Sequence, residues 1–209
     1  MEKGEIYEIC NNPIKIYMSI KTLPFLLLPL IINSGTLLTQ DKQKISYYHY
    51  QNNHKDIVII AHGFYNSKDS ILLQKLKDNL IDTYDVFMFD FRGHGKSSGL
   101  FSWMSKENKD LEAVLDYLKG KYKKINIIAF SLGAGIAINV LAKRNEVNSL
   151  VCVSAVSNFN KIDYKFWELD FKNDLVYTLF SKEGRKGKGC RIGPFWFKKQ
   201  KPIDNIQTL

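Results

Sequence analysis

Four short apolar runs, Ile57 to Ala61, Val86 to Phe89, Ile125 to Phe130 and Leu150 to Val153, recur along the chain with longer stretches of helical period between them. This alternation constrains the fold more than any other feature. Strands separated by a helix-length connection are joined by crossovers and lie parallel, and near-continuous apolarity is what strands covered on both faces require. Leu73, Leu76 and Leu80 recur at i, i+3, i+7, and Leu111, Val114, Leu115 and Leu118 at i, i+3, i+4, i+7. Each set makes one apolar helical stripe. Beyond Ser131, the run from Leu132 to Arg144 places Ile136 and Val140 one turn apart, with Lys143 and Arg144 suited to the negative end of a helix dipole. The expected class is α/β, a mostly parallel sheet with flanking helices.

Upstream, Lys44 to Tyr50 is aromatic and loosely alternating, and Asn52-Asn53 follows as a turn signal, so an antiparallel edge hairpin is expected to open the domain. Leu23 to Ile32 is a ten-residue apolar stretch with the outline of a signal-peptide core, too short to span a bilayer. Pro24 and Pro29 interrupt it, acids precede it and no small-residue cleavage site follows. A cytoplasmic protein is therefore expected, with membrane association or export through Leu23–Ile32 as the alternative. The expected organisation is an N-terminal extension over 1–37, a core over 38–158, an aromatic and basic lid-like segment over 159–201, and the start of a further part over 202–209.

Three widely spaced cysteines, Cys10, Cys152 and Cys190, suggest neither a disulfide framework nor a metal site. Cys152, inside an apolar run, reads as a small buried thiol. The net charge of +9 is concentrated: eight bases and one acid lie between Ser181 and Lys201. A charge confined to one segment does not make the broad basic face of a nucleic-acid binder, so nucleic acid is not an expected partner. Lys182–Lys201 is instead a candidate for peripheral contact with an anionic membrane.

The chemistry-bearing feature is Ile127-Ile128-Ala129-Phe130-Ser131-Leu132-Gly133-Ala134-Gly135, an apolar strand that ends in a serine between small residues and runs straight into a helix. Such a segment resembles a nucleophile elbow, the sharp turn that leaves a serine Oγ exposed, with Ala129 where the pattern has its first glycine. A plain helix N-cap serine would look partly similar. His62-Gly63-Phe64 and Asp90-Phe91-Arg92-Gly93-His94-Gly95-Lys96-Ser97 close two earlier predicted strands. These three motifs, in this order and each after a strand, resemble the α/β-hydrolase family, nearest its esterase-like and lipase-like members, including monoacylglycerol lipase-type and serine peptidase-type proteins. The resemblance runs from about Leu38 to Leu209.

What the resemblance implies is a serine hydrolase acting on carboxylic ester or amide bonds through an acyl-serine, with Ser131 as nucleophile and the backbone N–H groups of Phe64 and Leu132 as oxyanion hole. Its substrate would be a small ester or acyl compound, and neither a cofactor nor a metal is implied. In the family the acid and the histidine follow the serine. Here none of the four histidines does: His49 and His54 are expected on the surface beside the opening hairpin, and His62 and His94 match loop-shaping positions. Asp90 is read as structural, and no motif supports Asp163, Asp170 or Asp174. The chain is thus expected to lack the C-terminal strands with the catalytic acid and histidine, to be weakly active or inactive alone, and to need a complementing C-terminal fragment. A non-catalytic hydrolase-like binding or interaction protein is the alternative.

Overall fold

The computed structural model describes residues 15–17, 30–102 and 104–156. Seven strands and three helices run in the order β1 (Lys15–Tyr17), β2 (Leu30–Leu38), β3 (Lys44–Gln51), β4 (Asp56–Ala61), α1 (Ile71–Leu80), β5 (Asp85–Phe89), α2 (Asn108–Leu118), β6 (Lys124–Phe130), α3 (Leu132–Leu141) and β7 (Val147–Val153). The strands form one sheet in the order β1-β2-β3-β5-β4-β6-β7. β5, β4, β6 and β7 are mutually parallel, while β3 is antiparallel to β5 and β2 to β3, so β2 again points with the parallel set. The mostly parallel sheet with flanking helices is the α/β class expected.

Alternation along the central strands separates two apolar layers. Ile57, Ile59, Phe87, Phe89, Ile125 and Ile127 face α2 and α3, where Leu111, Val114, Leu115 and Leu118 are fully buried. Val58, Ile60, Val86 and Met88 face the other side and meet Leu73 of α1, with Leu76 and Leu80 packed at the margin. Each fully buried aliphatic or aromatic side chain here contributes roughly 1.5–3 kcal/mol relative to exposure. All ten residues of α3 are buried, which explains why it lacks the one-sided polarity of α1 and α2.

The structure corrects several expectations. The opening hairpin joins β3 to β2 through a turn over 39–43, closed by Thr39 N–H to Gln43 O at 2.9 Å, while Asn52-Asn53, with Asn53 at φ 57°, turns the chain from β3 to β4 as expected. β3 is also internal, between β2 and β5, not an edge. Leu30–Ile32, the end of the apolar stretch, opens β2, and the boundary drawn between 37 and 38 falls inside that strand. Cys152 is exposed rather than buried: β7 is the outermost strand on its side among the described residues, and Val151 and Val153 are exposed with it. His49 is buried, not on the surface. Its Nε2 meets the Tyr122 hydroxyl at 2.6 Å, and that hydroxyl donates to Asp85 Oδ2 at 2.8 Å. His54 is half-buried, with Nε2 3.2 Å from Ile81 O. The lid-like segment 159–201, residues 202–209, Asp163, Asp170, Asp174, Cys10 and Cys190 lie outside the described residues.

Candidate active site

The three motifs begin on the residues that immediately follow β4, β5 and β6: His62 after Ala61, Asp90 after Phe89, and Ser131 after Phe130. Since β5, β4 and β6 are adjacent in the sheet, these loops emerge side by side at the carboxyl ends of the parallel strands, the general location of sites in open α/β sheets.

Ser131 adopts φ 49° and ψ −112°, outside the regions open to ordinary L-residues, and α3 starts at the next residue. Holding a non-glycine residue there costs on the order of 1–3 kcal/mol, so the surroundings must enforce it. They do so through backbone bonds: Ser131 N–H donates to Val153 O at 2.8 Å, while Ser131 O accepts from Ala134 at 3.1 Å and Gly135 at 3.3 Å. The hydroxyl makes no helix-cap bond, which separates Ser131 from an ordinary N-cap serine. Leu132 N–H, in the first turn of α3, has no intrahelical acceptor and belongs to the positive end of the helix.

Close approach of the β4 loop explains the small residues. A Cβ placed on Gly133 would lie 2.9 Å from Ala61 O and closer still to His62 O, both backbone atoms. A Cβ on Gly63 would lie 3.2 Å from Ser131 Cβ, which puts the His62-Gly63-Phe64 loop against the serine. Ala129, where the pattern has a glycine, is fully buried on β6 between Ala61 of β4 and Cys152 of β7, so its methyl is accommodated inside the sheet. Phe64 is half-buried, its ring centroid 4.0 Å from that of Tyr65 and 5.0 Å from that of Phe101. Tyr65, two residues beyond Gly63, also has a positive φ, 55°.

Asp90 is consumed structurally. It accepts Lys68 N–H at 2.7 Å, Lys68 Nζ at 2.6 Å and Lys96 N–H at 2.9 Å, with the carboxylate and the ammonium both fully buried. This pair ties the β4 loop to the β5 loop. Gly95, at φ +46°, leaves the space that the carboxylate fills. Arg92 continues the frame, with Nε 2.9 Å and Nη2 2.6 Å from Asp110 Oδ1 and Nη1 2.7 Å from Asp41 Oδ2. The arginine hydrogen bonds hold the Asp41 carboxyl well below the usual carboxylate range. Sequence reasoning missed Lys68, Asp41 and Asp110; Lys68, in Asn66-Ser67-Lys68-Asp69-Ser70, carries no signal that sets it apart from a surface lysine.

His62 and His94 are both buried. His62 Nδ1 lies 2.7 Å from Gly63 O and Nε2 accepts Phe91 N–H at 3.0 Å, so both ring nitrogens are engaged. His94 Nδ1 lies 3.1 Å from Arg92 O. Burial pushes His62 and His49 down to about 4, leaving both neutral at pH 7. Among the described residues none hydrogen-bonds the Ser131 hydroxyl, and no three His, Cys, Asp or Glu side chains are grouped to hold a metal ion. An open depression of about 610 Å³ lies at the opposite end of the sheet, lined by residues from Leu141 to Leu150, away from Ser131.

A family model described as the alpha/beta hydrolase fold matches residues 56–184. An uncharacterized protein of Rickettsia prowazekii is 30% identical over 116 residues, 53% of this chain and 49% of that protein. The chain thus spans about half the length of the curated relative it matches. Among solved structures, a Pyrococcus furiosus esterase is similar in one crystal form at 26% identity and TM-score 0.65, over 86% of this chain and 66% of its own. In another form the same esterase matches at 30% identity and TM-score 0.58, over 73% and 56%. An esterase from Exiguobacterium antarcticum shares the fold at 23% identity and TM-score 0.51, over 59% and 46%.

Proposed function

The chain belongs to the α/β-hydrolase fold family, and from that premise we propose that it carries the nucleophile of a serine hydrolase acting on carboxylic ester or amide bonds. The observation that carries this reading is the backbone of Ser131, φ 49° and ψ −112°, forced between β6 and α3 beside the β4 loop. That conformation costs free energy, and it presents a hydroxyl that is not used as a cap. Similarity to the Pyrococcus furiosus esterase favours an ester among acyl substrates.

In the proposed reaction the Ser131 Oγ adds to the acyl carbon as its proton passes to a base, and the carbonyl oxygen becomes an oxyanion. The backbone N–H groups of Leu132 and Phe64 hold that oxyanion; one such donor is worth roughly 3 kcal/mol. Collapse expels the alcohol and leaves the acyl-serine, which water then hydrolyses. Among the described residues, His62 has both nitrogens engaged and His49 is bonded to Tyr122, so neither is offered to Ser131 as that base. We place the protein in the cytoplasm and assign Lys182–Lys201 to reversible contact with anionic lipid.

The second reading, a hydrolase-like binding protein without turnover, is favoured by that same absence of a histidine bonded to Ser131 among the described residues. A fluorophosphonate probe separates the two. Labelling of the chain, with or without added downstream sequence, that vanishes in Ser131→Ala supports the hydrolase. No labelling with the downstream sequence present supports the binding protein.

A further inference from the structure

Glu107 is a fully buried acid that the proposed chemistry leaves unused. It precedes α2, yet its side chain makes no cap bond to that helix and turns back to Ser102 instead. Oε1 accepts Ser102 N–H at 2.7 Å. Ser102 Oγ lies 3.0 Å from both Oε1 and Oε2, and accepts Lys106 N–H at 3.0 Å. One carboxyl group thus closes the segment 102–107. Within it Met104 is fully buried at φ 66°, an uncommon conformation that its surroundings must enforce.

No cation balances Glu107, which enters no ion pair among the described residues. Arg92, whose field reaches it, gives its side-chain donors to Asp110 and Asp41. Lys109 turns to Asp41 at 3.9 Å, and Lys106 is exposed. Asp110, one turn further along, adds a like charge facing Glu107. Ionising Glu107 there, out of water and with no counter-charge of its own, is strongly unfavourable. Burial accordingly pushes the Glu107 carboxyl above the usual carboxylate range. A neutral carboxyl fits the geometry: Oε1 accepts the peptide N–H, while Oε2–H donates to the lone pair that Ser102 Oγ has left after Lys106 N–H. Ser102 follows Phe101, whose fully buried ring lies 5.0 Å from that of Phe64 and 5.1 Å from that of His94. Phe64 in turn belongs to the loop that abuts Ser131 through Gly63.

We infer that Glu107 is a positioning residue, an uncharged acid that latches Ser102 and so holds Phe101 against Phe64. Loss of its proton leaves a charge without a cation, which drives the carboxylate toward water and loosens the loop. The effect on reaction rests on Ser131 being the nucleophile, as proposed above.

Glu107→Gln copies the neutral acid, with an amide oxygen for Ser102 N–H and an amide nitrogen for Ser102 Oγ, whereas Glu107→Ala removes the latch. The full chain and both variants are melted between pH 4 and 9. The rate at which folded protein takes up a fluorophosphonate is followed by intact-protein mass spectrometry; the Oγ–P bond forms, the P–F bond breaks, and fluoride and the hydroxyl proton pass to solvent. The unfolded chain loses the Glu107 proton near the ordinary 4.5, while the fold retains it. Wild type should therefore melt with Glu107→Gln near pH 4 and fall behind it as pH rises, by about 3–5 °C for each pH unit over which the folded acid stays protonated. Labelling should slow about tenfold in Glu107→Ala. Glu107→Gln should restore it, matching wild type near pH 5 and exceeding it in alkaline solution.

A Glu107→Gln chain that melts below wild type at neutral pH, with the gap closing toward pH 4, would show a stabilised carboxylate and overturn the inference. So would a Glu107→Ala chain that melts lower yet labels as fast per folded molecule, since Glu107 would then only stabilise its own loop. If no chain takes label, the nucleophile reading is what fails, and amide exchange at Phe64 decides the latch: faster exchange in Glu107→Ala that Glu107→Gln restores upholds it, and equal exchange in all three removes it.

Discussion

Replacing Gly133 with alanine sets two effects of opposite sign against each other. Gly133 lies in the first turn of α3, where alanine is the better helix former by about 1 kcal/mol and also reduces the freedom of the unfolded chain. Propensity alone thus predicts a stabilised protein. Against this, the added methyl would sit 2.9 Å from Ala61 O and nearer still to His62 O. Both oxygens belong to the backbone at the end of β4, a central strand paired on both sides, so neither can swing aside as a flexible side chain would. Forced overpacking typically costs about 1–3 kcal/mol and more when backbone must move, so roughly 3–4 kcal/mol is expected here. The net is a loss of about 2–3 kcal/mol, or roughly 5–10 °C in melting temperature for a chain of this size. Urea and thermal unfolding of Gly133→Ala, followed by far-UV circular dichroism, measure it. A variant as stable as wild type, or more so, would mean that α3 does not approach the β4 loop as described and that the space around Ser131 has been misread.

Asp90→Asn leaves the fully buried Lys68 ammonium without its counter-charge and should cost about 3–5 kcal/mol in urea unfolding; Lys68→Met in the same background should cost clearly less than it does alone, and strict additivity would remove the pair as a unit. His49 and His62 have folded pKa values lowered by burial to about 4, so the unfolded chain takes up protons that the fold excludes between pH 6.5 and 4. Stability is then fully present above pH 6.5 and declines as pH falls toward 4, by up to about 3 kcal/mol per histidine. His49→Phe should flatten that decline by about one proton's worth, and an unchanged slope between pH 6.5 and 4 would count against it. Binding of the chain to anionic vesicles through Lys182–Lys201 should weaken as salt rises; equal binding to neutral vesicles would refute the charge argument. Turnover of p-nitrophenyl esters should vanish in Ser131→Ala, and turnover also lost in His94→Ala would make His94 a base rather than a loop-shaping residue.

Much of the parallel half of the molecule was legible because its signals are local. Each apolar run became a strand, and Leu111, Val114, Leu115 and Leu118 became the buried face of α2 because a 3.6-residue period admits only that geometry. What stayed hidden depends on partners far away in the chain. β2, Leu-Ile-Ile-Asn-Ser-Gly-Thr-Leu-Leu, has three polar residues and a glycine at its middle and reads as a connecting segment until β3 is laid beside it. In β3 the aromatic residues alternate on both faces, so periodicity alone could not tell that Tyr50 faces α1 while His49 lies against Phe87 and Tyr117 on the other side. Cys152 failed in the other direction: an apolar run promises burial only if another layer covers it, and among the described residues β7 is an outermost strand.

The serine itself shows where local reading stops. Ala-x-Ser-x-Gly is local in sequence, but neither the strain of Ser131 nor the need for Gly133 arises within those five residues. Val153 O, from the end of β7, captures Ser131 N–H, and His62 O, from the end of β4, denies Gly133 a side chain. A segment with the same five residues on a lone strand and helix would relax, since nothing would offset the cost of φ 49°. The elbow is therefore a property of three neighbouring strand ends. Substitutions at His62, Asp90 or Val153 that shift those ends should alter Ser131 as surely as changes beside it, since the buried Lys68–Asp90 pair and the Phe91 N–H to His62 Nε2 bond tie the loop after β4 to the loop after β5.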